Sequence, residues 1–304
     1  MSETKVFQLN GNNAVELARK TIELEKSLQT IMEKNLEVFL GVGFLQSEYT
    51  TGKTHGGRID TLGLDENGCP VIIEYKRAIN ENVINQGLFY LDWLLDHKGE
   101  FKLLVMEKMG KQKAEQIDWT GPRLICVAAS YTKYDEHAVK QINRNIDLMK
   151  YCKFGADLIA LELVYSNSAS TPIHSKAIEQ VEGIKRSGDK SVAQWLEELD
   201  PEMLNLFESI QAFLLALGDD VSEKQLKLYM TYRRIKNFAC VVIQKKSLLV
   251  YLKLDPDTVL LESGFSRDVR TIGHWGTGDL EITLRSHDDL RKVEALLVRS
   301  YEEA

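Results

Sequence analysis

The chain has 304 residues, 44% hydrophobic and 27% charged, an ordinary globular composition long enough for two domains with separate cores. A net charge of −7 argues against a protein that coats nucleic acid with a wholesale basic surface, while a local acid-rich site that recruits divalent cations remains compatible with it. No apolar run approaches the roughly 18 residues a membrane-spanning helix needs, the opening Met1–Lys5 lacks the basic and apolar regions of a secretory signal, and Cys69, Cys126, Cys152 and Cys240 are scattered like reduced thiols, so a cytoplasmic protein without a membrane partner is expected.

Ala14 to about Phe39 predicts a helix, with Leu17, Ile22, Leu24, Leu28, Ile31, Leu36 and Phe39 at near-helical intervals. Gly57–Lys76 predicts a β-hairpin, because apolar runs at Ile59–Leu64 and Val71–Tyr75 flank the turn sequence Asp65-Glu66-Asn67-Gly68. A helix is expected over Asn82–Asp96, strands near Phe101–Val105, Arg123–Ala129 and Leu158–Val164, and a helix at Asp135–Met149. Such alternation implies an α/β layer architecture for residues 1–165. Residues 166–191, opening Ser-Asn-Ser-Ala-Ser-Thr-Pro, read as a linker. A smaller α+β domain at 192–304 follows. Its expected elements are helices at Val192–Glu198 and Pro201–Leu217, strands at Phe238–Ile243, Ser247–Leu254 and Leu280–Leu284, and a helix at Ser286–Tyr301 with Ser286 as N-cap.

The hairpin carries the chemistry. With its turn centred on Asn67, Asp60 falls opposite Glu74, and alternation puts Lys76 on the same face while Tyr75 points away. The surrounding residues are apolar on both faces, so three ionisable groups lie along a buried or half-buried surface. Opposed carboxylates there repel and are costly to desolvate, which a bound Mg²⁺ or Mn²⁺ would offset. A purely structural Asp–Lys–Glu network is the competing explanation. In the next helix Gln86 and Tyr90 are four apart and share a face.

The ordered set Gly57-Arg58-Ile59-Asp60, Val71-Ile72-Ile73-Glu74-Tyr75-Lys76-Arg77 and Gln86-Gly87-Leu88-Phe89-Tyr90 resembles the PD-(D/E)XK nucleases, in particular the RecB-type branch with its NucS-like mismatch endonucleases, over roughly residues 20–165. The resemblance implies a restriction-endonuclease-like core, a mixed sheet flanked by helices, and metal-dependent endonuclease action on DNA in repair, restriction or phage defence. It implies metal binding by Asp60, Glu74 and the carbonyl of Tyr75, a Lys76 that positions or activates the attacking water, and support from Gln86 and Tyr90. It also implies a metal-assisting Glu on the first helix, for which Glu25 is the first choice and Glu33 the second. Ile59 stands where the superfamily pattern has Pro, as is common in the RecB-like branch. Arg58 and Arg77 flank the site as candidates for neighbouring phosphates, or as ordinary surface charges.

In the second domain, Tyr229–Phe238 interleaves basic and aromatic residues, which makes Arg233 and Arg234 candidates for nucleic-acid contact; the alternative is an amphipathic segment with its aromatics packed inward. Gly273-His274-Trp275-Gly276-Thr277-Gly278-Asp279 is no Walker loop, since no Lys-Ser/Thr follows, and a tight turn explains its glycines. This half resembles domains of unknown function often joined to PD-(D/E)XK domains and sometimes labelled predicted transport proteins. With no span or pore pattern it is expected to serve recognition or oligomerisation, a homodimer being one such assembly. DNA is the implied partner, with RNA left open. A catalytically inert nuclease-fold module that binds nucleic acid or a protein is the alternative to an enzyme.

Overall fold

The computed structural model describes residues 4–20, 25–52, 56–76, 83–169 and 190–304. The chain divides into two compact units, Met1–Asn167 and Ser168–Ala304.

The first unit opens with a hairpin, β1 (Val6–Asn10) and β2 (Asn13–Leu17), and a short β3 (Arg19–Lys20). Helices α1 (Glu25–Lys34) and α2 (Leu36–Leu40) follow, then β4 (Val42–Thr50), β5 (Arg58–Asp65) and β6 (Pro70–Lys76). The chain crosses through α3 (Val83–Asp96), α4 (Lys98–Met109) and α5 (Lys111–Glu115) to β7 (Arg123–Ala128), then through α6 (Lys133–Lys140) to β8 (Asn145–Phe154), and ends in β9 (Leu158–Asn167). The main sheet runs β3-β8-β7-β6-β5-β4, with β9 also paired to β8. Strands β6, β7 and β8 are mutually parallel, whereas β4, β5 and β6 form an antiparallel meander. Every residue of β7 is buried, as a central parallel strand covered on both faces requires. The expected core, a mixed sheet flanked by helices, is therefore present.

Three local expectations fail for identifiable reasons. The helix expected from Ala14 is not formed over its first residues, because Asn10-Gly11-Asn12-Asn13 makes a tight turn with Gly11 at φ +62° and sends Asn13–Leu17 back as a strand. Phe101–Val105 is helical, not extended: within α4, Phe101 and Val105 bury one turn apart while Leu103 between them is exposed. The helix expected over Asp135–Met149 stops at Lys140, and Asn145–Met149 instead pairs with β7 as β8. Thr132 and Asp135 cap the start of α6 reciprocally.

The second unit has α7 (Val192–Glu198) and α8 (Pro201–Leu215), then β10 (Ser222–Gln225), β11 (Met230–Arg233), β12 (Asn237–Gln244) and β13 (Ser247–Leu252). A short β14 (Ser266–Asp268), β15 (Leu280–Leu284) and α9 (His287–Glu303) complete it. Its six strands form one antiparallel sheet, β10-β11-β12-β13-β15-β14. Leu206, Ile210 and Leu214 of α8 and Val293 and Leu297 of α9 bury with Val241, Val250 and Ile282 of the sheet. Ser286 caps α9 by accepting from the Asp289 amide at 3.2 Å.

Ser166 and Asn167, the first residues of the expected linker, belong to β9, where the Ser166 hydroxyl donates to Asp147 at 2.6 Å. Residues 170–189 of that linker lie outside the described residues. Cys69, Cys126, Cys152 and Cys240 are all free thiols. Among the described residues no helix is long and apolar enough to cross a membrane.

Candidate active site

The β5–β6 hairpin has the pairs Thr61↔Ile73, Leu62↔Ile72, Gly63↔Val71 and Leu64↔Pro70, so the next step in register sets Asp60 opposite Glu74. The turn that fixes this register is closed by Asp65, whose Oδ1 accepts from the amides of Asn67 and Cys69, both at 2.9 Å, and by Gly68 at φ +77°. The two carboxylates are cross-tied through the backbone. Asp60 Oδ2 accepts from the Tyr75 amide at 3.0 Å, and Glu74 Oε1 accepts from the Asp60 amide at 3.1 Å. The other oxygen of Glu74 accepts from Gln86 Nε2 at 2.9 Å.

Glu74 is fully buried and Asp60 half-buried. Burial, reinforced by the neighbouring Asp60 charge, pushes the Glu74 carboxyl up to about 9. Burial likewise raises Asp60, against the Tyr75 amide and Lys76. The pair thus resists carrying two negative charges unless a cation arrives.

Helix α3 presents its supporting residues from one face. Gln86 holds Glu74, and the Tyr90 hydroxyl accepts from the Arg58 amide at 3.1 Å, closing the entry to β5. Gly57 is required there, since a Cβ would stand 2.4 Å from the Tyr90 ring. Gly87 lets α3 approach β7, since a Cβ on it would stand 2.4 Å from a Leu124 methyl carbon.

Helix α1 contributes Glu25, Gln29 and Glu33, spaced four apart and so aligned on one face. Glu25 pairs with Lys76 at 3.4 Å and stands with the site. Glu33 accepts from the Thr61 hydroxyl at 2.7 Å, behind the strand, because Thr61 points to the opposite face from Asp60. Between them the buried Gln29 donates to the Asp60 carbonyl oxygen at 2.7 Å and to Glu33 at 2.9 Å, fastening β5 to the helix at the site residue itself. Gln29 is absent from the residues expected from sequence, although its spacing from Glu25 and Glu33 was the available signal. Glu48 of β4, which influences Asp60 electrostatically, gave no such signal.

The donor set fits a hard divalent cation. Two adjacent carboxylates, each with oxygen lone pairs beyond the N–H bonds described, suit Mg²⁺ or Mn²⁺, which accept few protein ligands and keep waters. Among the described residues no group of three or more His, Cys, Asp or Glu side chains is placed to hold a metal ion, so the side-chain donors here are the two carboxylates alone.

The remaining expected residues fall elsewhere. Arg58 is exposed at the rim, paired with Glu48 at 2.5 Å, and Arg77 lies outside the described residues. In the second unit Arg233 is buried, and Arg234 is committed to Asp220 at 2.6 Å and to the face of Tyr301. Tyr229 and Tyr232 are buried as well, so the aromatics of this stretch pack inward, while Arg234 stays partly exposed. His274 stacks on Tyr251, and Gly276 and Gly278 take φ of +88° and +127°, the turn geometry that explains the glycines of their loop.

Residues 192–304 match the family described as a domain of unknown function (DUF5655). Over 307 aligned residues the chain is 28% identical to an uncharacterized protein of Haemophilus influenzae, covering 98% of this chain and 100% of that one. Among solved structures, a repair endonuclease from Pyrococcus abyssi is 22% identical over 44% of this chain and 49% of its own, with a TM-score of 0.28. EndoMS in a complex with double-stranded DNA and EndoMS in apo form are each 18% identical over 48% of this chain and 64% of theirs, with TM-scores of 0.25 and 0.24. This chain spans less than two thirds of the length of each of these structures.

Proposed function

We propose that the chain is a metal-dependent phosphodiesterase that cleaves DNA, with Asp60, Glu74 and Lys76 as its catalytic residues. One observation carries the reading: a carboxylate pair cross-tied in one hairpin, with a lysine two residues from the buried Glu74 and a glutamine fixing that Glu from the neighbouring helix. Asp60 and Glu74 would hold Mg²⁺ or Mn²⁺, together with the Tyr75 carbonyl and water. Such a cation, when bound, supplies Lewis acidity toward phosphate and lowers the pKa of coordinated water.

The chain's own residues do the rest. Gln86 keeps the Glu74 carboxylate in one rotamer, and Gln29 keeps the Asp60 backbone in place. Glu25 restrains the Lys76 ammonium at the edge of the site, where it donates to the attacking water or to a phosphate oxygen as charge develops. Tyr90 locks the strand entry at Arg58.

The test is cleavage of a panel of single-stranded, duplex, mismatched and branched DNA, with RNA counterparts, in Mg²⁺ or Mn²⁺, with Asp60→Ala as the control. Cleavage of DNA that this variant abolishes is the expected result. A wild-type chain that binds nucleic acid or protein but cuts nothing would identify an inert platform.

A further inference from the structure

Glu48 is the only non-glycine residue with positive φ among the described residues, at +54°. An L side chain rarely adopts that region, and such conformations persist where the surroundings fix them, often at functional sites. It lies between the pairs Ser47↔Thr61 and Tyr49↔Ile59 of β4 and β5, and so faces Asp60 from the side opposite Glu74. A β-bulge at Phe44–Gln46 sets this register. Glu48 thus stands one strand spacing, about 4.8 Å, from the Asp60 ladder position.

Its carboxylate meets two cations from different elements. Lys26 of α1 approaches Oε1 at 2.8 Å, and Arg58 of β5 approaches Oε2 at 2.5 Å. Both cations are open to water, with side chains 59% and 64% exposed, whereas Glu48 is only 27% exposed. The hydrogen bond from Lys26 holds the Glu48 carboxyl below its usual range, with both cations adding to the effect, so it remains charged. Two solvent-facing cations converging on a carboxylate beside a phosphodiesterase site have the charge to receive a second oxyanion in its place. A backbone phosphate is the one such group that a DNA strand brings next to its scissile phosphate.

We propose that Lys26 and Arg58 form a phosphate subsite flanking Asp60 and Glu74, and that Glu48 holds this subsite until a DNA backbone phosphate displaces it. The proposal rests on the phosphodiesterase reading. Glu48 then acts as an internal competitor, which keeps the cation pair in position and lowers affinity for loosely placed nucleic acid.

The experiment is anisotropy titration of a labelled short duplex in Ca²⁺ buffer across a salt series, with the full chain. Glu48→Gln keeps the shape and removes the charge. It should bind DNA roughly threefold to tenfold more tightly and steepen the plot of log K against log salt by about 0.9 per added phosphate contact. Glu48→Gln combined with Arg58→Ala should lose both gains. Thermal melts confirm that each variant is folded. If wild type binds DNA while Glu48→Gln leaves affinity and slope unchanged, or weakens binding, the subsite is wrong and the phosphodiesterase reading survives. A wild type that neither binds nor cuts DNA removes both.

Discussion

Glu74 shows most directly how burial becomes chemistry. Its carboxyl titrates near 9 in the folded chain because it is buried beside Asp60, against an ordinary value of 4.5. The folded protein therefore holds a proton that the unfolded chain releases. Without metal, stability from this group is full below about 4.5 and is lost as pH rises through about 9. Replacing Glu74 by Gln removes the proton release that favours the unfolded chain while leaving an oxygen for one of its two N–H donors, and should stabilise the metal-free protein near pH 8 by about 1–4 kcal/mol. The gain should vanish near pH 4, and the stabilisation that added Mn²⁺ gives the wild type should vanish with it. Melting curves across pH, with and without Mn²⁺, check both; equal melting of the two proteins at pH 8 would contradict the burial argument. Lys76 makes a complementary case. Lys76→Ala should lower cleavage by roughly 10²–10³-fold yet retain metal-binding heat, whereas Asp60→Ala should lose both. If Lys76→Ala unfolds the chain and the wild type cuts nothing, the lysine is part of a structural ion network.

At the level of elements, the site is an agreement between one hairpin and two helices. The hairpin was legible because its information is local. A turn sequence centred on Asn67 fixes register, and period-two alternation then assigns Asp60, Glu74 and Lys76 to one face. Gln86 and Tyr90 were legible by their four-residue spacing, and Ser286 by its place before two acids. Glu48 was not, because its role depends on β4 docking against β5, a long-range event that no local spacing encodes; the spacing of Gln29 from Glu25 and Glu33 put it on their helix face, but not what that face docks on. Phe101–Val105 misled because a short apolar run fits a buried strand and a buried helix face equally. Gly87 tests how tightly the elements must agree. Gly87→Ala places a methyl carbon against the Leu124 side chain and should push α3 off β7, at a cost of about 1–3 kcal/mol. Because Gln86 is the preceding residue, its bond to Glu74 should loosen too. Cleavage should fall by more than the lost stability explains at a temperature where the variant is fully folded. Unchanged kcat in a destabilised Gly87→Ala would show that Gln86 is dispensable.

For the whole molecule, the informative feature is that each unit closes its own core. In the second unit α7, α8 and α9 cover the helix-facing side of the six-stranded sheet with a continuous apolar cluster from Val192 to Leu297. Its ends are also fastened internally. The Val192 amide donates to the Lys227 carbonyl at 2.9 Å, the Ser300 hydroxyl donates to the Phe238 carbonyl at 2.6 Å, and the Tyr301 hydroxyl donates to Asp220 at 2.9 Å. A closed core with tied ends is what independent folding requires. Residues 190–304 expressed alone should therefore melt in one cooperative transition, with the near-ultraviolet circular dichroism of fixed aromatic side chains. Asp220→Asn should lower that transition in the fragment and in the full chain alike, because Arg234 and Tyr301 both lean on this carboxylate. A fragment that shows helix by far-ultraviolet signal but no cooperative melt would mean that the second unit needs the first to fix its packing.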